Sequence, residues 1–333
     1  MYLEEQAGSI GASPAEAALP KRPSVLSNIL KFARRKPLGA FGFFLVFVLF
    51  LMTLGTPKAE FGVPALPNRP IGFELDSPWL ARYGEEATFY RDDGATRQNE
   101  GPTFNHWFGT DNNGRDMYAR IVVGARRSMF VGFWALTIAT LLGTAIGVLS
   151  GYFGSWIDTI LQRFMDALQS FPPLIALILI VTINPLGKGD NASLMMAAFA
   201  LGFVGITSVQ RITRGVVLAT REQQYVEAAR VIGATDLRIM FRYILPNIMA
   251  SVIVVFSTGI GVVILAEAAL SFVVPQAVPL GTSWGLDLSN SYTRIGTSPN
   301  PVLFTAGAIA VAVLAFNLAG DALRDVLDPR LRI

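Results

Sequence analysis

The sequence predicts an all-α membrane protein with six transmembrane helices, and three observations lead to this fold class. Apolar residues other than glycine make up 52% of the 333 residues, whereas charged residues make up 15%, against about 25% in soluble domains. Six stretches contain no charged residue and are long enough, at about 20 residues, to cross a bilayer core as helices. The high apolar content also excludes an intrinsically disordered chain.

The six predicted spans are apolar segments separated by more polar loops. In chain order they are residues 38–56, 128–151, 167–186, 192–210, 244–266 and 301–320. The first is not a cleaved signal peptide, because 37 residues precede it and its apolar run is longer than a signal h-region. We therefore expect it to remain as a membrane anchor.

Lysine and arginine residues in the short flanks set the orientation, because they accumulate on the cytoplasmic side. Residues 21–36 contain six of them and no acid, which predicts a cytoplasmic N-terminus and, with six spans, a cytoplasmic C-terminus. The cytoplasmic parts are then 1–37, 211–243 and 323–333, and the main external segment is 57–127. Four arginines lie outside against this rule, which is weak in long loops. They are Arg115, Arg120, Arg126 and Arg127.

Residue types that carry chemistry are sparse in this chain. The absence of cysteine excludes disulfides, thiolate nucleophiles and cysteine zinc sites. His106 is the only histidine, and no Ser-His-Asp or paired-carboxylate pattern indicates catalysis. The net charge of +3, which could indicate nucleic acid binding in a soluble chain, follows here from cytoplasmic Lys and Arg. We therefore expect no enzyme activity, no metal and no cofactor bound by this chain.

The loop between the fourth and fifth spans, residues 211–243, carries the strongest functional signal. Its pattern predicts two short helices. Thr220 and Gln223 form a capping box at the start of the first helix. Gly233 lies where that helix should end in the left-handed conformation, and Asp236 can cap the second helix.

One face of the first loop helix is made of small and apolar residues at helical spacing. They are Tyr225, Ala228, Ala229 and Ile232. Because two of them are alanine, the face is shallow, and the pattern predicts a surface that docks on another protein. A DNA-reading helix–turn–helix is excluded because the bilayer tethers both ends of the loop. A helix lying on anionic lipid stays open as an alternative, since the loop carries six arginines.

The loop residues match a known pattern. Glu227-Ala228-Ala229 with Gly233, followed by Leu245-Pro246, resembles the EAA loop in permease subunits of bacterial ABC importers. Further blocks resemble the C-type permease of the dipeptide/oligopeptide/nickel group, over about residues 102–332. In order they are His106-Trp107-Phe108-Gly109-Thr110-Asp111, Gly114-Arg115-Asp116, Gly124-Ala125-Arg126, Gly151-Tyr152-Phe153-Gly154, Ser170-Phe171-Pro172, Ala266-Glu267-Ala268, Leu270-Ser271-Phe272, Ser283-Trp284-Gly285, Leu323-Arg324-Asp325 and Leu327-Asp328-Pro329-Arg330.

The resemblance implies the type I ABC importer permease fold, with the transmembrane domain over residues 124–322, in a bacterial plasma (inner) membrane. It also implies four kinds of partner: a homologous second permease that completes the pore, two ATP-binding subunits, an extracytoplasmic substrate-binding protein and membrane lipid. The ATP-binding subunits would contact the EAA residues. The chain has no G-x-x-x-x-G-K-[ST] motif, so ATP and Mg²⁺ would be bound by those subunits.

Three departures from the family pattern concern one loop residue and the substrate side. Tyr243 replaces an aliphatic residue of the EAA pattern, Val274-Pro275-Gln276 replaces a Gly-Leu-Gly, and the external segment 57–105 is longer than usual. The substrate is therefore open among peptides, oligosaccharides, opines and nickel chelates. The rival function, a stand-alone secondary transporter or channel, would require several intramembrane charges and inverted repeats.

Three further groups of residues are candidates for the pore or its packing. Glu267 lies within the outer part of the fifth span, either as a pore or gate residue or as a structural partner. Pro172 and Pro173 should bend the third span, as expected of a pore-lining helix. A ridge of three glycines lets the second span pack closely, on this chain or on the partner permease. The ridge consists of Gly143, Gly147 and Gly151.

Overall fold

The computed structural model describes residues 33–34, 36–54, 87–90, 94–183, 190–275 and 282–327. Almost all of this described part is helical. The helices are α1 (Pro37–Leu54), α2 (Met117–Phe153), α3 (Ser155–Gln169), α4 (Pro173–Ile183), α5 (Asp190–Arg221), α6 (Gln224–Val231), α7 (Asp236–Ile239), α8 (Leu245–Val273), α9 (Trp284–Tyr292) and α10 (Asn300–Leu327). A π-helical turn, Met240–Ile244, joins α7 to α8.

Several predicted segments fall largely outside the described residues. These are most of 1–37, residues 57–86 of the external segment, and the end of the tail 323–333. Their predicted locations stay predictions.

Four helical segments of the described chain are long and apolar enough to cross a membrane. They are Met117–Phe153 (α2), Ser193–Arg221 (most of α5), Asp236–Val273 (α7 through α8) and Asn300–Leu327 (α10). The pair α3 and α4 passes the same criterion only together, as one broken span, and α1 is a shorter apolar helix. The structure thus contains four or five candidate spans by length and composition, and the count of six is a prediction.

The third predicted span, 167–186, is not one continuous helix. The chain bends by 83° between α3 and α4, and the bend falls at Pro172 and Pro173. Pro173 has no N–H to donate into a preceding turn, and it restricts Pro172 to non-helical backbone, so α3 ends before the pair. Pro173 then serves as the first residue of α4, a position that proline favours. The predicted bend is confirmed, and residues 167–169 before it belong to a helix that begins at Ser155.

Helices α2 and α5 form the closest helix pair of the bundle. Gly143 lies against Ile206 and Val209, and further along both helices Gly151 lies against Val217. The residue numbers of the contacts increase together along the two helices, which means that α2 and α5 run parallel. The glycine ridge therefore packs within this chain, which decides between the two interpretations of the sequence.

The remaining long helices pack antiparallel to their neighbours. Gly132 of α2 faces Ile264 of α8, and the earlier residue Gly259 faces Leu136. On the other side of α8, Gly320 of α10 lies against Thr258. Helix α1 runs antiparallel to α10, because Gly42 near its start lies against Leu318 near the end of α10.

A polar lobe formed by residues 94–116 and α9 covers one end of the bundle. Trp284 is fully buried beside Gly124, and its indole N–H donates to the Ile121 carbonyl over 2.9 Å. Two of the arginines that run against the charge rule are paired here with acids. Arg115 binds Asp111 through Nε and Nη2, both at 2.8 Å, and Arg120 binds Asp287. Pairing with acids explains why these cations need not face the cytoplasm.

Candidate functional site

The loop between α5 and α8 forms the helix–Gly–helix that the sequence predicts. Helix α5 ends at Arg221, α6 and α7 follow, and α7 continues through the π-helical turn into α8. The predicted capping box is wrong, because the Thr220 hydroxyl donates to the Val216 carbonyl of its own helix at 2.8 Å. Asp236 is also not a cap: it is the first residue of α7, and its carboxylate accepts a hydrogen bond from Tyr152.

Gly233 ends α6 as predicted, with a positive φ of 79°. The Gly233 N–H donates to the Arg230 carbonyl over 2.9 Å, and the Ala234 N–H donates to the Ala229 carbonyl over 3.0 Å. These two bonds form a Schellman motif, which needs a residue that adopts the left-handed conformation without strain. The turn is therefore specified by Gly233.

The predicted face of α6 is divided between a buried and an exposed side. Ala229 is only 2% exposed and packs with Val226 in an apolar cluster that includes residues from the ends of α2 and α5 and the start of α8. Ile232 is 78% exposed. The placement of Ala229 on the docking face is therefore corrected, because Ala229 supports the loop from beneath. The exposed side consists of Tyr225, Glu227, Ala228, Val231, Ile232 and, from α7, Leu237.

Tyr152, at the end of α2, connects the loop to the bundle. Its hydroxyl donates to the Asp236 carboxylate over 2.6 Å, and the Arg230 guanidinium lies 5.5 Å from the centre of its ring. Arg221 donates to the Gly151 carbonyl over 3.0 Å. Sequence reasoning gave Tyr152 no role, although the block Gly151–Gly154 marked the place.

A cleft of about 480 Å³ opens beside the loop. It is lined by Tyr152, Phe153, Arg221, Glu222, Glu227 and Arg230. Glu227 is exposed on its wall, so its carboxylate is accessible to a cation from another protein. Tyr225 on the neighbouring face is only partly exposed, and its partial burial raises the pKa of its hydroxyl.

Leu245 and Pro246, the last residues of the EAA pattern, lie where α8 begins. Leu245 is partly buried against the apolar cluster beneath the loop, and Pro246 is exposed. Pro246 has no N–H for the carbonyl four residues back, and the Leu245 N–H reaches five residues back to Met240. The Asn247 side chain donates to the Tyr243 carbonyl over 2.5 Å. The π-helical turn thus follows from the position of this proline.

An ion pair joins α3 to α5 near the end of the bundle that carries the loop of α6 and α7. Asp158 accepts from Arg214 Nε at 2.7 Å and from Nη2 at 2.6 Å, and it also accepts from the Ser150 hydroxyl. A partner 56 residues away cannot be identified from helical spacing.

Glu267 lies inside the subunit and is only 3% exposed. Its two carboxylate oxygens accept from the hydroxyls of Ser128 on α2 and Ser271 one turn further along α8, both at 2.8 Å. This geometry joins α2 to α8 and favours the structural interpretation over the pore interpretation. Pro172 and Pro173, by contrast, are exposed at the bend.

Glu267→Gln is expected to weaken the subunit without changing its selectivity. An amide offers one acceptor oxygen where the carboxyl group offers two, so one serine hydroxyl loses its hydrogen-bond acceptor, at a cost of about 1–3 kcal/mol. The yield and melting temperature of the assembled transporter should fall, and uptake of charged and neutral substrates should fall alike. In a double-mutant cycle with Ser128→Ala, the effects should be non-additive. Normal yield with an unequal change in uptake of the two substrate types would instead support a pore role.

A bundle of long apolar helices joined by a helix–Gly–helix loop defines a polytopic membrane protein. The family model described as "Binding-protein-dependent transport system inner membrane component" matches residues 143–333. The dipeptide transport system permease protein DppC of Alkalihalophilus pseudofirmus is 41% identical over 243 residues, which are 73% of this chain and 78% of that protein. The chain belongs to the family of binding-protein-dependent transport system inner membrane components.

Two further similarities agree with this membership. The glutathione transport system permease protein GsiD of Pectobacterium atrosepticum is 38% identical over 262 residues, 79% of this chain and 84% of that protein. The structure of the MetNI methionine ABC transporter in inward-facing conformations has a TM-score of 0.50 at 18% identity, and the match covers 62% of this chain and 96% of that chain. At this identity the structural match concerns the fold alone.

The chain is a permease subunit of an ABC importer in a bacterial inner membrane, and it works with other components of that transporter. The predicted family is confirmed. Membership favours this function over the rival one, a secondary transporter or channel acting alone.

Proposed function

We propose that this chain forms one half of the translocation pore of an importer for peptides or similar small solutes. A homologous permease completes the pore, an extracytoplasmic binding protein delivers the substrate, and two separate subunits bind ATP and Mg²⁺. The observation that carries the proposal is the loop at α6 and α7, whose exposed apolar face stands between two long helices. The names of the two relatives, dipeptide and glutathione permeases, support peptides as the substrate class.

The helix directions support six spans with both termini in the cytoplasm. Because α2 and α5 run parallel, the broken pair α3–α4 has to return the chain across the membrane between them. Helix α8 is antiparallel to α2, α10 is antiparallel to α8, and α1 is antiparallel to α10. Directions that alternate in this way describe six crossings, with α6 and α7 on the same side as the start of α1.

Single cysteines should label from opposite sides of the membrane. The native chain has no cysteine, so Gly296→Cys, in the exposed loop after α9, and Thr235→Cys, before α7, each give one reactive thiol. An impermeant thiol reagent applied to intact cells should label position 296, and position 235 only after the cells are opened. Labelling of both positions in intact cells would contradict the six-span topology.

The loop offers an ATP-binding subunit two kinds of contact. Val231, Ile232 and Leu237 form an exposed apolar surface, and burying it would supply the association energy. Glu227 on the wall of the neighbouring cleft can pair with a cation of that subunit. Val226 and Ala229 anchor α6 to α2 and α5 from beneath, so a movement of the docked subunit would be transmitted into these helices.

Gly233→Leu is expected to weaken the coupling between ATP hydrolysis and uptake. A Cβ at this position meets nothing within 4 Å, so the cost comes from the left-handed backbone, not from a clash. That cost is about 1 kcal/mol, which corresponds to roughly fivefold weaker retention of the ATP-binding subunits if it is felt in the docked conformation. Co-purification of these subunits and ATPase activity stimulated by the binding protein measure the effect.

Gly233→Asn is the matched control, since asparagine adopts the left-handed conformation more readily than leucine and should retain more coupling. Adding Glu227→Arg to Gly233→Leu should lower retention further. If the double variant keeps normal retention, stimulation and uptake, the loop does not transmit the ATPase movement.

A further inference from the structure

The segment 103–108, here called the aromatic loop, exposes large aromatic side chains beside the helix bundle. Phe104 is 85% exposed and Trp107 is 57% exposed. Single exposed apolar residues are common, but two large rings on one short loop form a patch that marks an interaction surface. The question is which partner this patch fits.

Hydrogen bonds hold the aromatic loop in a fixed conformation. The Thr103 N–H donates to the His106 carbonyl over 2.7 Å, and the His106 N–H donates to the Thr103 hydroxyl over 3.0 Å. His106 is buried, and its Nδ1 lies 2.9 Å from a carboxylate oxygen of Asp116. The other oxygen of Asp116 accepts from the Ala119 N–H and caps α2. The rings are therefore held in a fixed position relative to the start of α2.

The aromatic loop lies where three apolar helices begin or end. Trp107 and Phe108 both pack edge-on against Tyr118, the second residue of α2. Phe108 also stacks on Phe304 near the start of α10, with ring centres 4.4 Å apart. Met52, near the end of α1, packs against the same part of α2 as Tyr118. The end of α1 and the start of α10 both lie beside this part of the chain, so the loop lies where the uncharged segments 38–56 and 301–320 stop.

The surface next to the aromatic loop is apolar and exposed. Helix α1 carries exposed phenylalanines along its length, and Leu303 beside Phe304 is exposed as well. These phenylalanines are Phe41, Phe43, Phe44, Phe47 and Phe50. An exposed apolar surface of this extent on a membrane subunit fits acyl chains. Aromatic rings at the end of such a surface match the aromatic belt that membrane proteins place at the headgroup level.

We propose that the aromatic loop inserts Phe104 and Trp107 into the headgroup–acyl boundary of the bilayer and thereby fixes the depth of α2 and α10. The partner is the lipid surface itself. His106 and Asp116 hold the rings at that depth by fixing the loop on α2. That the leaflet is the outer one rests on the proposed topology with both termini in the cytoplasm. The lipid contact itself does not depend on that topology.

Spin labels at two exposed positions test the lipid contact. Phe104→Cys places a label on the aromatic loop, and Gly296→Cys places the control on a polar exposed loop at the same end of the bundle. The complete transporter, with accessible cysteines of its other subunits replaced, is reconstituted in lipid nanodiscs. Collision rates with oxygen, which partitions into lipid, and with a water-soluble nickel chelate are then compared.

The label at position 104 should collide more with oxygen, and the label at 296 more with the nickel chelate. The depth parameter, which is the logarithm of the ratio of the oxygen and nickel collision rates, should therefore have opposite signs at the two positions. A label at 104 as accessible to nickel as the control would place the loop in water and overturn the proposal. Shielding from both reagents, or shielding only after the binding protein is added, would show a protein partner and overturn it too. The side of the membrane is read separately from thiol labelling at 296, so an error in the topology is distinguishable from an error in the lipid contact.

Discussion

Gly147→Leu should prevent assembly of the transmembrane bundle. A Cβ at this position would lie 2.8 Å from Thr213 Cβ and 2.9 Å from the Gln210 carbonyl oxygen, and a leucine side chain extends well beyond that. The backbone of α5 can move away only by separating from α2 along the whole glycine ridge. We expect a cost of more than ~3 kcal/mol, at the upper end of overpacking in a core, and loss of assembled transporter from the membrane.

A second transmembrane glycine provides the matched control. Gly307 of α10 is exposed, and a Cβ there meets nothing within 4 Å, so Gly307→Leu should leave yield and uptake close to normal. Detergent-extracted transporter is quantified by size-exclusion chromatography and by its melting temperature. Equal yields of the two variants would contradict the close packing of α2 on α5.

The glycine ridge shows which part of the fold can be obtained from the sequence. The spacing of Gly143, Gly147 and Gly151 is visible in the sequence and predicts a helix that packs closely. The identity of the partner helix is not visible, because small residues accept any close backbone. The contacts in the structure, which run from Gly143 against Ile206 to Gly151 against Val217, show that the partner is α5 and that it runs parallel to α2.

The same distinction holds at the candidate site. Gly233 was predictable, since a helix that ends in a left-handed residue has a strong local signal. The division of α6 into a buried and an exposed side was not, because Ala228 and Ala229 are chemically identical. Which alanine is buried depends on contacts with the ends of α2 and α5. The role of Glu267 was likewise open, because Ser128, one of its two donors, lies 139 residues away.

Arg120→Leu is expected to destabilise strongly the polar lobe formed by residues 94–116 and α9. Arg120 is 1% exposed, its Nε lies 2.9 Å from Asp287 Oδ1, and its Nη2 contacts the same oxygen. Asp287 is buried as well, and its other carboxylate oxygen has no hydrogen-bond partner within the described part of the chain. Without the guanidinium, a buried carboxylate is left without its cation, which costs about 3–5 kcal/mol. Protease resistance of the polar lobe and the melting temperature of the transporter measure the loss.

The double variant Arg120→Leu/Asp287→Leu separates the role of the pair from that of its parts. Replacing a buried ion pair by apolar residues of similar size is often neutral, because the desolvation cost of both charges disappears together with their attraction. We therefore expect the double variant to be more stable than Arg120→Leu alone, although α9 still packs on α2 through Trp284 and Gly124. If the double variant is as unstable as Arg120→Leu, the ion pair stabilises the lobe more than the apolar pair that replaces it. If stability recovers, the ion pair contributes little net stability, and we would then infer that it serves to hold α9 in the register that brings Asp287 to Arg120.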